Sequence, residues 1–350
     1  MLNRFGWKRK YSRKPIPALI LLLAGFLALV SLQSCGSSSD STPEWKFAYM
    51  SDNKDASDPS GVNLAAVGRI AMDMRSQGVH LVMVGGDLID GRGQDVAGLN
   101  AQYSAWIGAM APVYNAGASV YAIPGNHEYW GDTEDNCVTA WMQTMAPALP
   151  AGRTDNSQRP GREYTFVYKN ALFVGLDQTQ FARGDAPFYY RGNDVSWVSS
   201  QLQARDSAAF PHVFAFGHMP MFMTRWGWTV DSYKANREDF WNTLGNAGAQ
   251  IYFTGHTHLY AHGSATTADG QHSIHQVIAG SGGANFEWWD GVYYESDRIT
   301  PGTSPAPWNN DKEGYALVTV KGMNVQMDWR YYDPATGSFK VGDSFSYTLN

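Results

Sequence analysis

Five short apolar runs in this 350-residue chain each stop abruptly in a polar string, and that repetition narrows the folds open to it. They are "KFAYMSD" (46–52), "VHLVMVGGDLID" (79–90), "SVYAIPGNHE" (119–128), "HVFAFGHMP" (212–220) and "AQIYFTGHTH" (249–258). Each reads as a strand buried on both faces. Between them, Ala65–Gln77, Leu99–Met110, Val195–Arg205 and Arg237–Asn246 space their apolar residues as amphipathic helices do. Strand alternating with helix predicts an α/β fold with a mostly parallel sheet, whose binding groups gather in loops at the carboxyl ends of strands. All five polar strings sit at such ends. Farther on, Ser273–Ile278, Phe286–Tyr294, Tyr315–Val320, Asn324–Tyr331 and Ser344–Leu349 read as strands and hairpins, with "DPATG" as a turn. They predict a second, more antiparallel sheet.

The first 34 residues hold Arg4, Lys8, Arg9, Lys10, Arg13 and Lys14, no acidic residue, and an apolar run from about Ile16 to Leu32. This predicts an export signal. The string "LQSCGSSSD" resembles a bacterial lipoprotein cleavage site, which would make Cys35 the acylated first residue and anchor the chain to the envelope, with Gly36 leaning towards the outer membrane. The alternative is an uncleaved N-terminal membrane helix, for which the run is only marginally long enough. Residues 35–44 read as a flexible tether and 45–350 as one large domain. Only Cys35 and Cys137 exist, so the fold does not rest on disulfide pairs, and Cys137 is expected to be a buried lone thiol. Without the signal, 20 basic residues face 32 acidic ones, and about twelve net negative charges argue against long nucleic acid as a partner.

In chain order the strand ends present Asp52, then Asp87 and Asp90, then Asn126 and His127, then His218, then His256 and His258. Carboxylate, amide oxygen and imidazole together suit a borderline or hard divalent metal. Alternation of His256 and His258 across Thr257 is compatible with one loop serving two metals. Glycines at 86, 125, 217 and 255 would let the backbone turn sharply beside each ligand. His80, His212, His262, His272 and His275 lack such context and read as surface or hydrogen-bonded core residues. Trp226, Trp228 and Tyr233, like Trp288 and Trp289 after "GSGGANF", would either wall a substrate pocket or serve packing.

The strings GDxxD, GNHE and GHxH, in this order and each after an apolar run, resemble the calcineurin-like metallophosphoesterase family, which includes purple acid phosphatases and many phosphodiesterases, here in a bacterial lipoprotein form. The likeness runs from Lys46 to Tyr260 by motif. It implies a four-layer α-β-β-α sandwich, two mixed sheets flanked by helices, holding one or two ions of Fe, Mn or Zn. By this resemblance Asp87 bridges two metals, and Asn126, His218 and His256 complete the second site. Asp52, Asp87, His258 and a histidine at position 54 would form the first, but position 54 is lysine. Three readings stay open: a weaker first site filled out by water or Asp55, a single metal, or Lys54 neutralising substrate phosphate.

The resemblance also implies that His127 faces the leaving group, oriented by Asp90, while water activated at the metals attacks phosphorus in a small phosphate mono- or diester. Arg92 is a second phosphate-binding candidate, although Gly91 separates it from the place where phosphoprotein phosphatases carry arginine. The competing reading is a catalytically impaired binding protein of the same fold, for which Lys54 is the support. Substrate identity, written in loops such as Phe181–Asn193 and Met221–Asn236, the choice of metal and the oligomeric state are not encoded legibly.

Overall fold

Residues 44–50, "EWKFAYM", alternate large aromatics with small or flexible side chains, so that one face can meet a second sheet while the other meets helices. In the computed structural model, which describes residues 43–180, 191–224, 234–303 and 307–349, this segment is a strand at the centre of the molecule. The expected signal (1–34), Cys35 and all but the last two residues of the tether lie outside the described residues, as do 181–190, Trp226, Trp228 and Tyr233. Residues Thr42–Asn350 form one compact unit. No helix among the described residues is long and apolar enough to cross a membrane.

In chain order the described strands are β1 (Glu44–Met50), β2 (Leu81–Val84), β3 (Ser119–Ala122), β4 (Thr154–Asp155), β5 (Tyr164–Tyr168), β6 (Ala171–Gly175), β7 (His212–Phe216) and β8 (Ile251–Thr254). They continue as β9 (Tyr260–Thr266), β10 (Ser273–Ala279), β11 (Ile299–Pro301), β12 (Trp308–Asn309), β13 (Gly314–Lys321), β14 (Asn324–Asp333) and β15 (Ser338–Thr348). One sheet runs β15-β14-β13-β1-β2-β3 and the other β11-β9-β10-β8-β7-β6-β5-β4, with β12 against β9. Helices Leu64–Ser76 and Val96–Ala109 cover the first sheet, and Val195–Gln203 and Lys234–Asn246 the second. This is the four-layer sandwich that the resemblance implies.

Between the sheets lies an aromatic core. Phe47 of β1 meets Phe173, Phe214 and Phe253 with ring centroids 5.3, 4.8 and 5.9 Å apart, and Tyr49 stacks on Phe253 at 5.2 Å. The opposite faces bury Val67, Ile70 and Met74 of one helix layer and Phe240, Trp241 and Leu244 of the other. Helix starts follow local rules: the side chains of Asn63, Asp95 and Asp194 accept N–H bonds from Ala66, Gly98 and Trp197. Cys137 is a free buried thiol.

The division into a parallel and an antiparallel sheet read from the pattern is not what forms. Each sheet is mixed, because β1-β2-β3 and β6-β7-β8-β10 are parallel runs to which hairpin strands attach at the sides. The C-terminal meander β13-β14-β15, turned by Asp333–Gly337 as expected, pairs onto β1 rather than building its own sheet. Phe286–Tyr294 is not a strand. Gly291 takes a φ of 87°, the Val292 N–H bonds the Asp290 carboxylate, and Trp289 and Tyr293 fold back as core against Trp308.

Removing the Phe47 ring by Phe47→Ala is expected to lower unfolding free energy by about 3–5 kcal/mol in a denaturant titration. A loss below roughly 1 kcal/mol would mean the sheets are not held by this cluster.

A candidate metal centre at the strand ends

Strand register decides which loops meet. Met50, Val84 and Ala122 stand in one row of the first sheet, and Phe216 pairs with Phe253 in the second. Asp52, Asp87, Asn126, His218 and His256 follow these rows within a few residues, so all five leave the same edge of the sandwich. The loops are then tied to one another, within the first sheet and across to the second. The Asp52 N–H donates to the Gly86 carbonyl (3.1 Å), the His256 N–H to the Asp52 carboxylate (2.9 Å), and His218 Nδ1 to the Gly85 carbonyl (2.8 Å).

The backbone at these ends is unusual. Among the described residues four non-glycines have left-handed φ, and three are Asp52 (62°), Asp87 (53°) and His256 (67°). Such a conformation costs an L-residue roughly 1–2 kcal/mol, which the hydrogen bonds around it must offset. Of the four glycines expected to turn the chain, only Gly86 has positive φ (89°). Gly125 is needed for close approach instead: a Cβ there would lie 2.3 Å from Asp87 Oδ1 and 2.5 Å from the Asp87 nitrogen.

One group of donors converges tightly. His218 Nε2 lies 2.9 Å from Asn126 Oδ1, 3.3 Å from His256 Nδ1 and 3.4 Å from Asp87 Oδ1, and His256 Nδ1 is 3.0 Å from Asn126 Oδ1. Because Nδ1 of His218 donates to a carbonyl, its Nε2 carries a lone pair towards the others. Burial pushes His218 and His256 below the ordinary histidine range, which keeps both rings neutral. Lone pairs gathered at these distances match ligands about 2.0–2.1 Å from a shared ion, whose tetrahedral edges would be about 3.3 Å. This donor set fits a metal.

The second group is Asp52, Asp87 and His258, with one ligand atom of each within 4.8 Å of the others. His258 Nδ1 bonds the Asn285 carbonyl at 2.9 Å, which turns Nε2 towards Asp52 Oδ1 at 3.6 Å. Asp52 Oδ1 is buried without a hydrogen-bond partner, as a carboxylate oxygen awaiting a cation would be. Lys54 borders this group: its Nζ is 2.5 Å from Asp87 Oδ2, and its side chain is almost wholly enclosed. An ammonium and a divalent ion 4 Å apart repel by about 8 kcal/mol at an effective dielectric constant of 20. A metal held by this group would be repelled by the Lys54 ammonium at its edge.

Charge follows this placement. Burial and the neighbouring Asp87 raise Asp52 well above the usual carboxylate range. Burial would raise Asp87 too, but His218, Lys54 and His127 hold it well below. His258 is pushed down to about 3 by burial and then by Lys54.

A cleft of about 290 Å³ opens over these residues, lined also by Asp90, His127, Arg92, Trp130, Met223 and Glu287. His127 Nδ1 is 2.8 Å from the Asp90 carbonyl oxygen and 3.5 Å from its carboxylate. Asp90 therefore orients the ring chiefly through its backbone, with the carboxylate as a charge nearby. Trp130 packs on the His127 ring at 3.7 Å, and the exposed Arg92 guanidinium stacks on Trp130 at 4.8 Å, at the rim. Neither Trp288, which is exposed, nor Trp289, which is core, lines the cleft. His212, His262 and His275 are hydrogen-bonded core residues.

Sequence reasoning missed three residues that position the ligands. Glu128 is buried and accepts the N–H groups of Asp87 (2.8 Å), Leu88 (2.8 Å) and Gly125 (2.6 Å), joining two ligand loops. Burial and Asp87 push it up to about 8. Asn53 takes the Trp106 indole N–H and donates to the Gly282 carbonyl, and Asn285 holds His258. The glycine-dense "AGSGGAN" after an apolar strand was the available signal for the last loop, since a Cβ on Gly282 would lie 2.3 Å from the Ser51 carbonyl oxygen.

The family model for calcineurin-like phosphoesterases matches residues 50–260. No curated protein matches significantly. Among solved structures, a purple acid phosphatase from yellow lupin (Lupinus luteus) seeds is similar at 16% identity with a TM-score of 0.56, over 88% of this chain and 54% of that one. This chain thus spans about half of the lupin protein. A dimetal phosphatase from Danio rerio aligns at 14% identity and TM-score 0.56, over 87% and 99% of the two chains. GAP50, the anchor in the inner membrane complex of Plasmodium, aligns at 11% identity and TM-score 0.52, over 88% and 89%. At these identities the likeness concerns fold.

Replacing Glu128 by Gln would set an amide N–H₂ against backbone N–H donors. Glu128→Gln is expected to cost about 1–3 kcal/mol of stability and to weaken metal binding about 10- to 100-fold, read by denaturation and metal titration. Unchanged metal affinity would show that Glu128 does not position the ligands.

Proposed function

Because the chain belongs to the calcineurin-like phosphoesterase family, we propose that it is a metal-dependent hydrolase of small phosphate mono- or diesters, acting while anchored to the bacterial envelope. The observation that carries this reading is the convergence of Asp87, Asn126, His218 and His256 donor atoms, of which Asn126 and His256 line the same cleft as His127. A bound ion there would polarise phosphate oxygens and acidify water. Fe, Mn and Zn are all compatible with a His, Asp and Asn donor set.

The chain's own residues supply the rest. With Nδ1 donating to the Asp90 carbonyl, a protonated His127 presents its second proton on Nε2, the atom free to hand it to a leaving alkoxide or phenoxide. The Asp90 carboxylate, 3.5 Å from Nδ1, and the packed Trp130 face hold the ring in that orientation. Arg92, at the rim, would meet an outer phosphate oxygen or a charged substituent. The low-dielectric floor excludes water from the carboxylates below.

Anchoring rests on Cys35 and the tether that follows it. A Cys35→Ser chain is expected to lose fatty-acid label and membrane association, and retention of both would favour the uncleaved helix. For catalysis, the purified chain loaded with Mn, Fe or Zn should hydrolyse aryl and bis-aryl phosphates and stop in chelator. His127→Ala should lower turnover by between about 10²- and 10⁴-fold, most for poor leaving groups. Metal binding without turnover of either ester would favour the binding-protein reading.

A further inference from the structure

We propose that the Lys54 ammonium, paired with Asp87, supplies the charge of a second metal ion, so that the chain works with one ion, held by Asp87, Asn126, His218 and His256. This rests on the metal-dependent reading above and fixes how its charge is assembled. Three observations point the same way. Lys54 Nζ lies 2.5 Å from Asp87 Oδ2, the carboxylate oxygen that is not turned towards His218. Asp52 Oδ1 and His258 Nε2, 3.6 Å apart, lie with Asp87 in the donor group that the lysine borders. Finally, the lysine is built in.

The backbone of Lys54 bridges Val62, the Asn53 N–H donates to the Asp87 carbonyl (2.7 Å), and the Asp55 and Asp90 N–H groups both donate to the Gly61 carbonyl. Asn53 is fixed in turn by Trp106 and Gly282. A long surface side chain could swing out to admit a metal. This one starts from a backbone pinned on both sides and reaches an acceptor that has no other cation at comparable distance on that oxygen, His127 Nε2 being 4.0 Å away. A point charge on a flexible stem can neutralise a carboxylate but adds no open coordination position. One face of the phosphate would then meet a metal and the other an ammonium with N–H donors.

The test is metal content. Full-length protein, stripped of metal and equilibrated with excess Mn²⁺ or Zn²⁺, is expected to retain one ion per chain, lost in His218→Ala. Lys54→His is expected to retain two. Mn²⁺ in the unmodified chain should give the electron paramagnetic resonance signal of an isolated ion, a readout that does not depend on how the variant folds. Two ions, or an exchange-coupled signal, in the unmodified chain would overturn the Lys54 proposal and leave the metal-dependent reading intact. No retained ion in any form would overturn both.

Discussion

The carboxylate of Asp87 is the point on which the site is hung. One oxygen accepts the His127 N–H and faces His218, the other takes Lys54, and its own backbone amide is held by Glu128. It lies at the end of β2, in the first sheet, while His218 and His256 come from the second. The two sheets must therefore pack to within hydrogen-bond accuracy before the donors converge. The aromatic layer between them, centred on Phe47, provides that rigidity, and the Tyr49 hydroxyl reaching the Gly217 carbonyl at 3.1 Å links it directly to the His218 loop.

Such a site concentrates local cost. Asp52, Asp87 and His256 sit in left-handed backbone, Gly125 leaves no room for a methyl group, and two carboxylates are buried side by side. Each feature is unfavourable alone. They are tolerated because the loops hydrogen-bond to one another rather than to water, and because cationic and metal-binding groups share the same small volume.

Much of this was legible because strand-end chemistry is local. An apolar run followed by GD, GNH or GH announces both the strand and the ligand that leaves it, and register does the rest. What was not legible depends on distant or backbone partners. Nothing within "GYALVTV" says that it will pair with β1, some 270 residues earlier, instead of closing its own sheet. Phe286–Tyr294 imitates a strand in composition, but Asp290–Gly291 turns it. Glu128 and Asn53 act through main-chain groups, for which a sequence pattern carries no mark, and Asn285 is marked only by the glycines before it. Asp90 was expected to orient His127, and the shorter of its two contacts with the ring is made by its carbonyl. Position 54 showed that the expected ligand was replaced, and only the distance to Asp87 shows where the charge went.

The covalent attachment of that charge bears on the order of assembly. A nascent chain that must bury Asp52 and Asp87 before any ion is captured would face two uncompensated carboxylates in a dry interior. Here the compensating ammonium arrives two residues after Asp52, on the same loop, as soon as β1 and β2 come together. The counter-charge of Asp87 is thus part of the chain itself, whether or not an ion is bound.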